Sequence, residues 1–227
     1  MKRILGITIG TLCLFCLLFV GVTPQESQAA LTKSTAFDGI DAWQALGTAA
    51  MAVGNSEDVS LSYDTVVFIE LAYTGAAANE GVTVYVEISS GTADDWTPLW
   101  TAKSTAATAG LDDLDEAGNT LAGDTTITTT AGATDAFDVV GRTWFIVDTT
   151  VGESEVLRTK SWDTQTATLA QDAKYAHSDA EVISDTVFQW AVHIPVAAAY
   201  VRVLVNNTDA DSAIHWRSHC SKVTSIQ

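Results

Sequence analysis

The stretch Val82-Thr83-Val84-Tyr85-Val86-Glu87-Ile88 decides the fold class of this chain. Its aliphatic residues alternate with more polar ones, and this period of two places one face of a strand in a core. The same alternation returns at residues 200–205. Residues 65–71 instead form a continuous β-branched and aromatic run, which is typical of a strand covered on both faces. These patterns predict an all-β fold.

Strand patterns continue outward from that stretch in both directions. Further strands are predicted at residues 96–103, 144–148, 155–162, 166–169, 181–183, 188–194 and 214–223. The last of these forms a hairpin with residues 200–205 across the turn cluster at 206–211. Helical patterns are few, and at most a short helical turn is expected around Leu111 to Ala117.

A Thr-rich, low-complexity stretch at residues 123–134 interrupts the strand pattern and predicts a linker. Residues 36–122 and 187–227 are then expected to form one antiparallel, jelly-roll-like β-sandwich in two pieces, because its last strands must pair with its first. Residues 135–186 are expected to form an insert, either a small β-barrel or a small β-sheet, which leans on the larger body.

The N-terminal residues 1–29 are typical of a secretory signal peptide. Two basic residues precede an apolar run over residues 4–22, and Pro24 and several small residues follow it. This order predicts export with cleavage after Ala29 or Ala30. A membrane anchor is the alternative, since the run approaches the ~20 residues that a span needs. We expect a secreted protein, extracellular or at the cell surface, with no transmembrane span after cleavage.

The composition restricts the partners of the chain. It has 11 basic and 28 acidic residues, a net charge of −17, and loss of two basic and one acidic residue with the signal leaves −18. Such a surface repels nucleic acid and anionic lipid, and it accommodates hard cations such as Ca²⁺. Only Cys220 lies beyond the signal, so no intrachain disulfide can form. We expect its thiol to be buried, the alternative being a bond between two chains.

The predicted insert and its flanks carry a resemblance to known proteins. The segments concerned are VGRTWFIVD (140–148), SEVLR (154–158), TATL (166–169) and AHS (176–178), with flanks WQALGT (43–48) and YVRVLVNN (200–207). This pattern resembles bacteriophage virion-associated and environmental bacterial surface proteins that carry a small β insert. The resemblance implies an interrupted β-sandwich, and it implies no catalytic residues.

No pattern in the sequence indicates catalysis, and we expect no enzyme. The chain lacks a Gly-x-Ser-x-Gly elbow, and residues 177–179 (His-Ser-Asp) are too close in sequence to face one another as a triad. His215 and His219 share one face of a strand, but Arg217 between them would oppose a metal. They are therefore interpreted as polar residues on a solvated face, and the remaining two histidines as structural.

An acidic loop is the candidate metal site. Asp113, Asp115 and Asp124 fall at positions 1, 3 and 12 of a calcium-loop pattern that has its glycine at position 6. Ala117 at the fifth position supplies no side-chain oxygen, and Asp124 reaches less far than the usual Glu. Ca²⁺ is the candidate cofactor here, and a solvated acidic loop is the alternative.

Two tryptophans beside two aspartates form a candidate ligand site. Trp96 and Trp100 are four residues apart, on one face of their predicted strand, and they follow Asp94 and Asp95. Exposed indoles that stack on sugar rings, with carboxylates that accept sugar hydroxyls, would bind glycan. The alternative is that the indoles fill the core of the sandwich.

Two functions follow from these observations. The first is a secreted, non-enzymatic structural protein, a self-assembling subunit or coat of an extracellular fibre, sheath or surface layer. In this hypothesis residues 31–42 form an arm that adds a strand to a neighbouring copy. The alternative is an extracellular glycan-binding β-sandwich module. The expected partners are therefore the chain itself or a glycan, and no nucleic acid.

Overall fold

A computed structural model of the chain describes residues 31–34, 40–75, 80–104, 111–114, 121–129, 143–163, 165–179 and 181–226. The chain divides into two compact units, residues 1–32 with 225–227 and residues 33–224. The second unit holds nearly all of the described residues. The predicted signal peptide at residues 1–29 and the predicted calcium ligand Asp115 lie outside them.

The described residues form strands and one short 3₁₀ turn (Val151–Glu153). The strands are β1 (Leu31–Ser34), β2 (Ile40–Leu46), β3 (Ala50–Val53), β4 (Glu57–Asp58), β5 (Asp64–Tyr73), β6 (Val82–Ser89), β7 (Thr97–Lys103), β8 (Leu111–Asp113), β9 (Thr126–Thr128), β10 (Thr143–Val147), β11 (Glu155–Asp163), β12 (Thr166–Leu169), β13 (Val182–Ser184), β14 (Val187–Ile194), β15 (Tyr200–Asn207) and β16 (Ile214–Ile226). The predicted all-β class is confirmed.

Two antiparallel sheets form the sandwich. Sheet I has the order β3-β15-β6-β7, with β4 also paired to β15. Sheet II has β16, β5 and β14 in that order, with β2 paired to β16. Ile40, in the predicted arm at residues 31–42, therefore pairs with Ser218 of its own chain.

Alternating side chains from the two sheets form the core of the sandwich. Val82, Val84 and Val86 on β6 are fully buried, as their spacing predicts, and they pack in one cluster with Ile69 and Leu71 on β5. Cys220 lies in the same cluster, and burial raises the pKa of its thiol to about 12. The prediction of a buried thiol is confirmed.

The end of strand β5 is covered on its second face by the insert. A separate cluster joins Trp43 of β2 and Ala72 of β5 to Phe145 of β10, and the Trp43 and Phe145 ring centroids lie 4.5 Å apart. The cover reaches only the end of the strand, because Val66 and Phe68 on the same face are half-buried. The prediction of a strand covered on both faces therefore holds for only part of residues 65–71.

The insert is a third antiparallel sheet, sheet III, and it begins earlier in the chain than predicted. Its order is β8-β13-β10-β11-β12-β9, so its strands run from Leu111 to Ser184 instead of occupying only residues 135–186. Residues 111–113 pair with β13, so they are a strand where at most a helical turn was expected around Leu111 to Ala117, and residues 115–117 lie outside the described part of the chain. Residues 126–128, inside the predicted linker, pair with β12, because β-branched threonine suits a strand.

Sheet III curls around its own core but does not form a closed barrel. Its end strands, β8 and β9, do not pair along their length, and an isolated bridge between Leu114 and Thr129 links the residues that follow them. The enclosed apolar cluster includes Trp144, Ile146 and Leu157. The two sides of β10 thus face different cores, because Trp144 and Ile146 point into the insert while Phe145 points toward the sandwich.

Candidate functional site

A buried cluster of one histidine and three carboxylates lies in the insert. His177 Nδ1 is 2.9 Å from Asp148 Oδ2 and 3.1 Å from Glu181 Oε2. His177 Nε2 is 2.7 Å from Glu155 Oε1. All four residues are buried, and we call them the His177 cluster. Within the described part of the chain, each of the three carboxylates forms an ion pair with His177.

The strand register of sheet III places two of these carboxylates side by side. Val147 of β10 is paired with Val182 of β13. Asp148 follows the first residue and Glu181 precedes the second, so antiparallel pairing brings both to the same end of the two strands. His177 comes from the loop before β13, four residues ahead of Glu181.

Backbone groups fix the third carboxylate. Glu155, the first residue of β11, accepts hydrogen bonds from the backbone N–H groups of Lys174 and Tyr175 at 3.0–3.3 Å. It also holds the Nε2 side of His177. The imidazole orientation is therefore set by Glu155, and its Nδ1 atom points at Asp148 and Glu181.

The surroundings shift the pKa values of two members of the cluster. Burial by itself lowers the pKa of His177, but hydrogen bonds to Glu155 and Asp148 and the nearby negative charges outweigh it, so the pKa is raised. Burial and the charge of Asp148 raise the pKa of Glu181. Both shifts reflect an excess of negative charge in a dry site, which attracts a cation or a proton.

A short hydrogen-bonded path connects the cluster to the sandwich. The Asp148 backbone N–H donates to Ser154 Oγ at 3.0 Å, and Ser154 Oγ lies 3.3 Å from His215 Nδ1 on β16. Burial lowers the pKa of His215 to about 4. His215 is thus buried, not on a solvated face as predicted, because the insert covers that part of sheet II. His219 is half-buried and stacks on Phe68.

His177 is not the ordinary structural histidine that the sequence predicts, and the sequence indicates none of its partners. Asp148 is 29 residues away and Glu155 is 22 residues away in sequence. Only the pairing of sheet III brings them together. The available signal was the position of Asp148 and Glu181 at the ends of two apolar strand patterns, beside a lone histidine.

The predicted calcium loop is described only in part. Asp113 ends β8 and is exposed. Asp124 lies in a turn, where its Oδ2 accepts the Leu121 backbone N–H at 2.7 Å. Asp115 is outside the described residues, so Ca²⁺ binding by these three aspartates stays a prediction.

The two tryptophans of the predicted glycan site are directed to different surroundings. Trp100 packs against the sandwich core and lies edge-on to Trp190, with 6.0 Å between ring centroids. Trp96 lies instead under the Arg202 guanidinium, 4.2 Å from its ring centroid. A bulge in the β6–β7 pairing falls between them and breaks the period of two. Asp94 and Asp95 are exposed in the preceding loop.

A groove on the outer face of sheet II brings together other residues suited to a polar ligand. Phe68 and His219 stack at 4.9 Å beside Glu70, which accepts a hydrogen bond from Gln189 Nε2 at 2.6 Å and pairs with Arg217. A second, more polar cavity lies at the insert. It shares Glu70 and Gln189 with this groove, and Arg217 and Arg158 also line it. We call the first of these the Phe68 groove.

The outer face of sheet I carries an apolar row that is exposed at β3 and half-buried at β15 and β6. Met51 and Val53 of β3 are 62% and 50% exposed. Val53 is paired with Leu204 of β15, which is paired with Tyr85 of β6, so these side chains lie beside one another on one face. Met51, Val53, Leu204 and Tyr85 are called the β3 patch below.

Within the described residues, no helix is long and apolar enough to cross a membrane. No protein-family model matches the sequence, and no curated protein matches it either.

Three solved structures show weak similarity to the fold. The first is the K3 cleaved adhesin domain of Lys-gingipain from Porphyromonas gingivalis w83, with 12% identity, a TM-score of 0.32 and coverage of 76% of this chain. The chain spans 63% of that domain's length. The second is the structure of infectious bursal disease virus Gt strain, with 10% identity, a TM-score of 0.19 and coverage of 90% of this chain and 46% of that one. The third is the CBM22-1 xylan-binding domain from Paenibacillus barcinonensis Xyn10C, with 10% identity, a TM-score of 0.17 and coverage of 86% of this chain and 96% of that one. Similarities of this size carry no functional argument.

Proposed function

We propose that the chain is an exported, non-enzymatic structural subunit that associates with copies of itself through the β3 patch. The observation that carries this proposal is the exposure of Met51 and Val53 beside Leu204 and Tyr85. Apolar rows with a polar rim on a monomer surface mark sites of protein association. β3 is also an outer strand of sheet I, and outer strands offer backbone groups to a partner.

The charge distribution favours a second copy at this surface. The chain carries a net charge of −17, so two copies repel each other over most of their surfaces. The β3 patch contains no acidic side chain, and the nearby Glu87 is paired with Arg202 at 2.7 Å. Copies related by a two-fold axis would bring the same uncharged patches together.

Light scattering of the purified exported protein over a range of concentrations tests the proposal. We expect a mass above that of the monomer, and a double Met51→Lys/Val53→Lys variant should return to the monomer. The matched control is Leu61→Lys/Val196→Lys, which adds the same charges at two other exposed apolar residues. A wild-type protein that stays monomeric at all concentrations would contradict the proposal, as would equal loss of association in both variants. N-terminal sequencing of the same sample should begin at Ala30 or Leu31.

Glycan binding is the second candidate function, and the Phe68 groove favours it. An aromatic ring can stack on the apolar face of a sugar, while a carboxylate and an amide hydrogen-bond to hydroxyls. Phe68, Glu70 and Gln189 bring these three groups to one place, where a sugar hydroxyl would compete with the bonds of the buried Glu70 to Gln189 and Arg217. This arrangement supports the function better than Trp96 and Trp100, which do not share a surface.

Binding to a panel of extracellular polysaccharides would test this second function. Phe68→Ala should weaken binding about 5–150-fold, because one stacked ring contributes on the order of 1–3 kcal/mol. Tyr63→Ala, which removes an exposed aromatic ring elsewhere, should leave binding unchanged. Absence of binding to every polysaccharide, or an equal effect of both substitutions, would rule the groove out.

A further inference from the structure

The His177 cluster has the ligand set and the spacing of a metal centre. Asp148, His177 and Glu181 each offer one ligand atom, and these atoms lie within 4.8 Å of one another. Ligand atoms about 2.0–2.2 Å from a tetrahedral or octahedral ion are about 2.8–3.6 Å apart. The two Nδ1–oxygen distances of 2.9 and 3.1 Å fall in that range.

The polypeptide holds these atoms in place before any ion arrives. Asp148 and Glu181 are fixed by the pairing of β10 with β13. Glu155 accepts a hydrogen bond from His177 Nε2, and two backbone N–H groups fix Glu155 in turn. Metal-bound histidines commonly donate their other ring N–H to a carboxylate, which sets the tautomer and strengthens the ligand. Glu155 is therefore a positioning residue.

The charge of the cluster provides an independent reason for a cation. Three buried carboxylates surround one imidazole, so even a protonated imidazole leaves negative charge in excess. Buried charge is costly unless it is paired or coordinates a metal. A divalent cation between Asp148, Glu181 and Nδ1 would take the place of a proton on Nδ1 and reduce this excess.

We propose that Asp148, His177 and Glu181 bind a divalent first-row transition ion, with Zn²⁺ as the preferred ion, and that Glu155 orients the histidine. An imidazole nitrogen in the ligand set favours such an ion over Ca²⁺, which takes six to eight oxygen ligands. The ion would join β10, β13 and the loop before β13. It would stabilise the insert in a chain whose only cysteine beyond the signal is buried in the sandwich core.

Metal analysis of the purified full chain tests this proposal directly. After EDTA treatment and dialysis, the protein is titrated with ZnCl₂ in excess Mg²⁺, which occupies the acidic surface. We expect one tightly bound Zn²⁺ per chain and a rise in the melting temperature. Glu181→Gln should weaken Zn²⁺ affinity at least about a hundredfold, and Glu155→Gln should weaken it by about 10–100-fold. Asp124→Asn, in the predicted calcium loop, should change neither.

Wild-type protein that binds no stoichiometric Zn²⁺ and melts at one temperature with EDTA or ZnCl₂ would overturn the proposal. The cluster would then be a proton-bearing polar network only. Equal effects of Glu181→Gln and Asp124→Asn would overturn it as well. If Glu181→Gln does not fold, the wild-type metal content and the EDTA response still decide the question.

Discussion

His215 is a buried histidine held between the sandwich and the insert, and it should make the protein sensitive to acid. Burial lowers its pKa to about 4, from an ordinary value of 6.5. As the pH falls from 6.5 to 4, the unfolded chain takes up a proton at this residue while the folded protein does not. The contribution of neutral His215 to the unfolding free energy is therefore fully present above pH 6.5, and it falls by about 3 kcal/mol by pH 4.

Urea unfolding at a series of pH values measures this effect as a difference between variants. His215→Gln should remove about 3 kcal/mol of the loss in unfolding free energy between pH 6.5 and 4. His193→Gln, at a histidine whose side chain is exposed, should keep the wild-type pH dependence. Identical pH profiles for wild type and His215→Gln would show that His215 is protonated in the folded state.

Single residues were the least predictable level of this protein. Cys220 could be assigned to the core, because a lone cysteine behaves as a small apolar residue. His215 could not, since its strand shows no sign that another sheet covers it. Trp96 and Trp100 were separated by a bulge that the spacing of four residues does not reveal. His177 depended on partners that only the strand register brings near.

At the scale of elements, the start of β6 depends on a glycine. Gly81 has a φ of +79°, and a Cβ atom there would lie 2.6 Å from the Ser104 carbonyl oxygen. Gly81→Ala should therefore lower the unfolding free energy by about 1–3 kcal/mol, or more with the clash. A Cβ atom at Gly91 would have no atom within 4 Å, so Gly91→Ala should change the unfolding free energy by less than about 0.5 kcal/mol. Chemical denaturation distinguishes them, and equal values would contradict the account.

Strands with a clear period were predictable, and short strands were not. β6 and β15 follow their alternating patterns because each has one face in the same core. β8 and β9 have three residues each, too few for a period to show. Both are stabilised by neighbours distant in sequence, so a helical turn and a linker were expected in their places.

At the scale of the whole molecule, sheet II is shared by two cores. The sandwich core lies on one side of it, and the contact of Trp43 and Ala72 with Phe145 lies on the other. An interrupted sandwich could be predicted from strands that recur after the break. The extent of the insert could not, because its outer strands β8 and β9 precede the apparent boundary in the chain.

Phe145 should couple the unfolding of the insert to that of the sandwich. Its ring is fully buried, 4.5 Å from the Trp43 centroid and 5.6 Å from that of His215. Phe145→Ala should cost about 3–5 kcal/mol, mostly in contacts between the two parts. Each part keeps its own apolar cluster, so the two parts no longer need to unfold together. The insert should then open while the sandwich stays folded.

Hydrogen exchange followed by mass spectrometry in moderate urea would detect this separation. In the wild type, peptides from residues 143–184 and from β5 and β6 should exchange together, as in one cooperative unit. Phe145→Ala should expose the first group well before the second.

Val84→Ala provides the control, since it leaves a cavity inside the sandwich core and should lower stability without separating the two groups. If Phe145→Ala also keeps them together, contacts other than the Trp43–Phe145 pair must join the insert to sheet II, and the Ser154–His215 hydrogen bond is the next to remove.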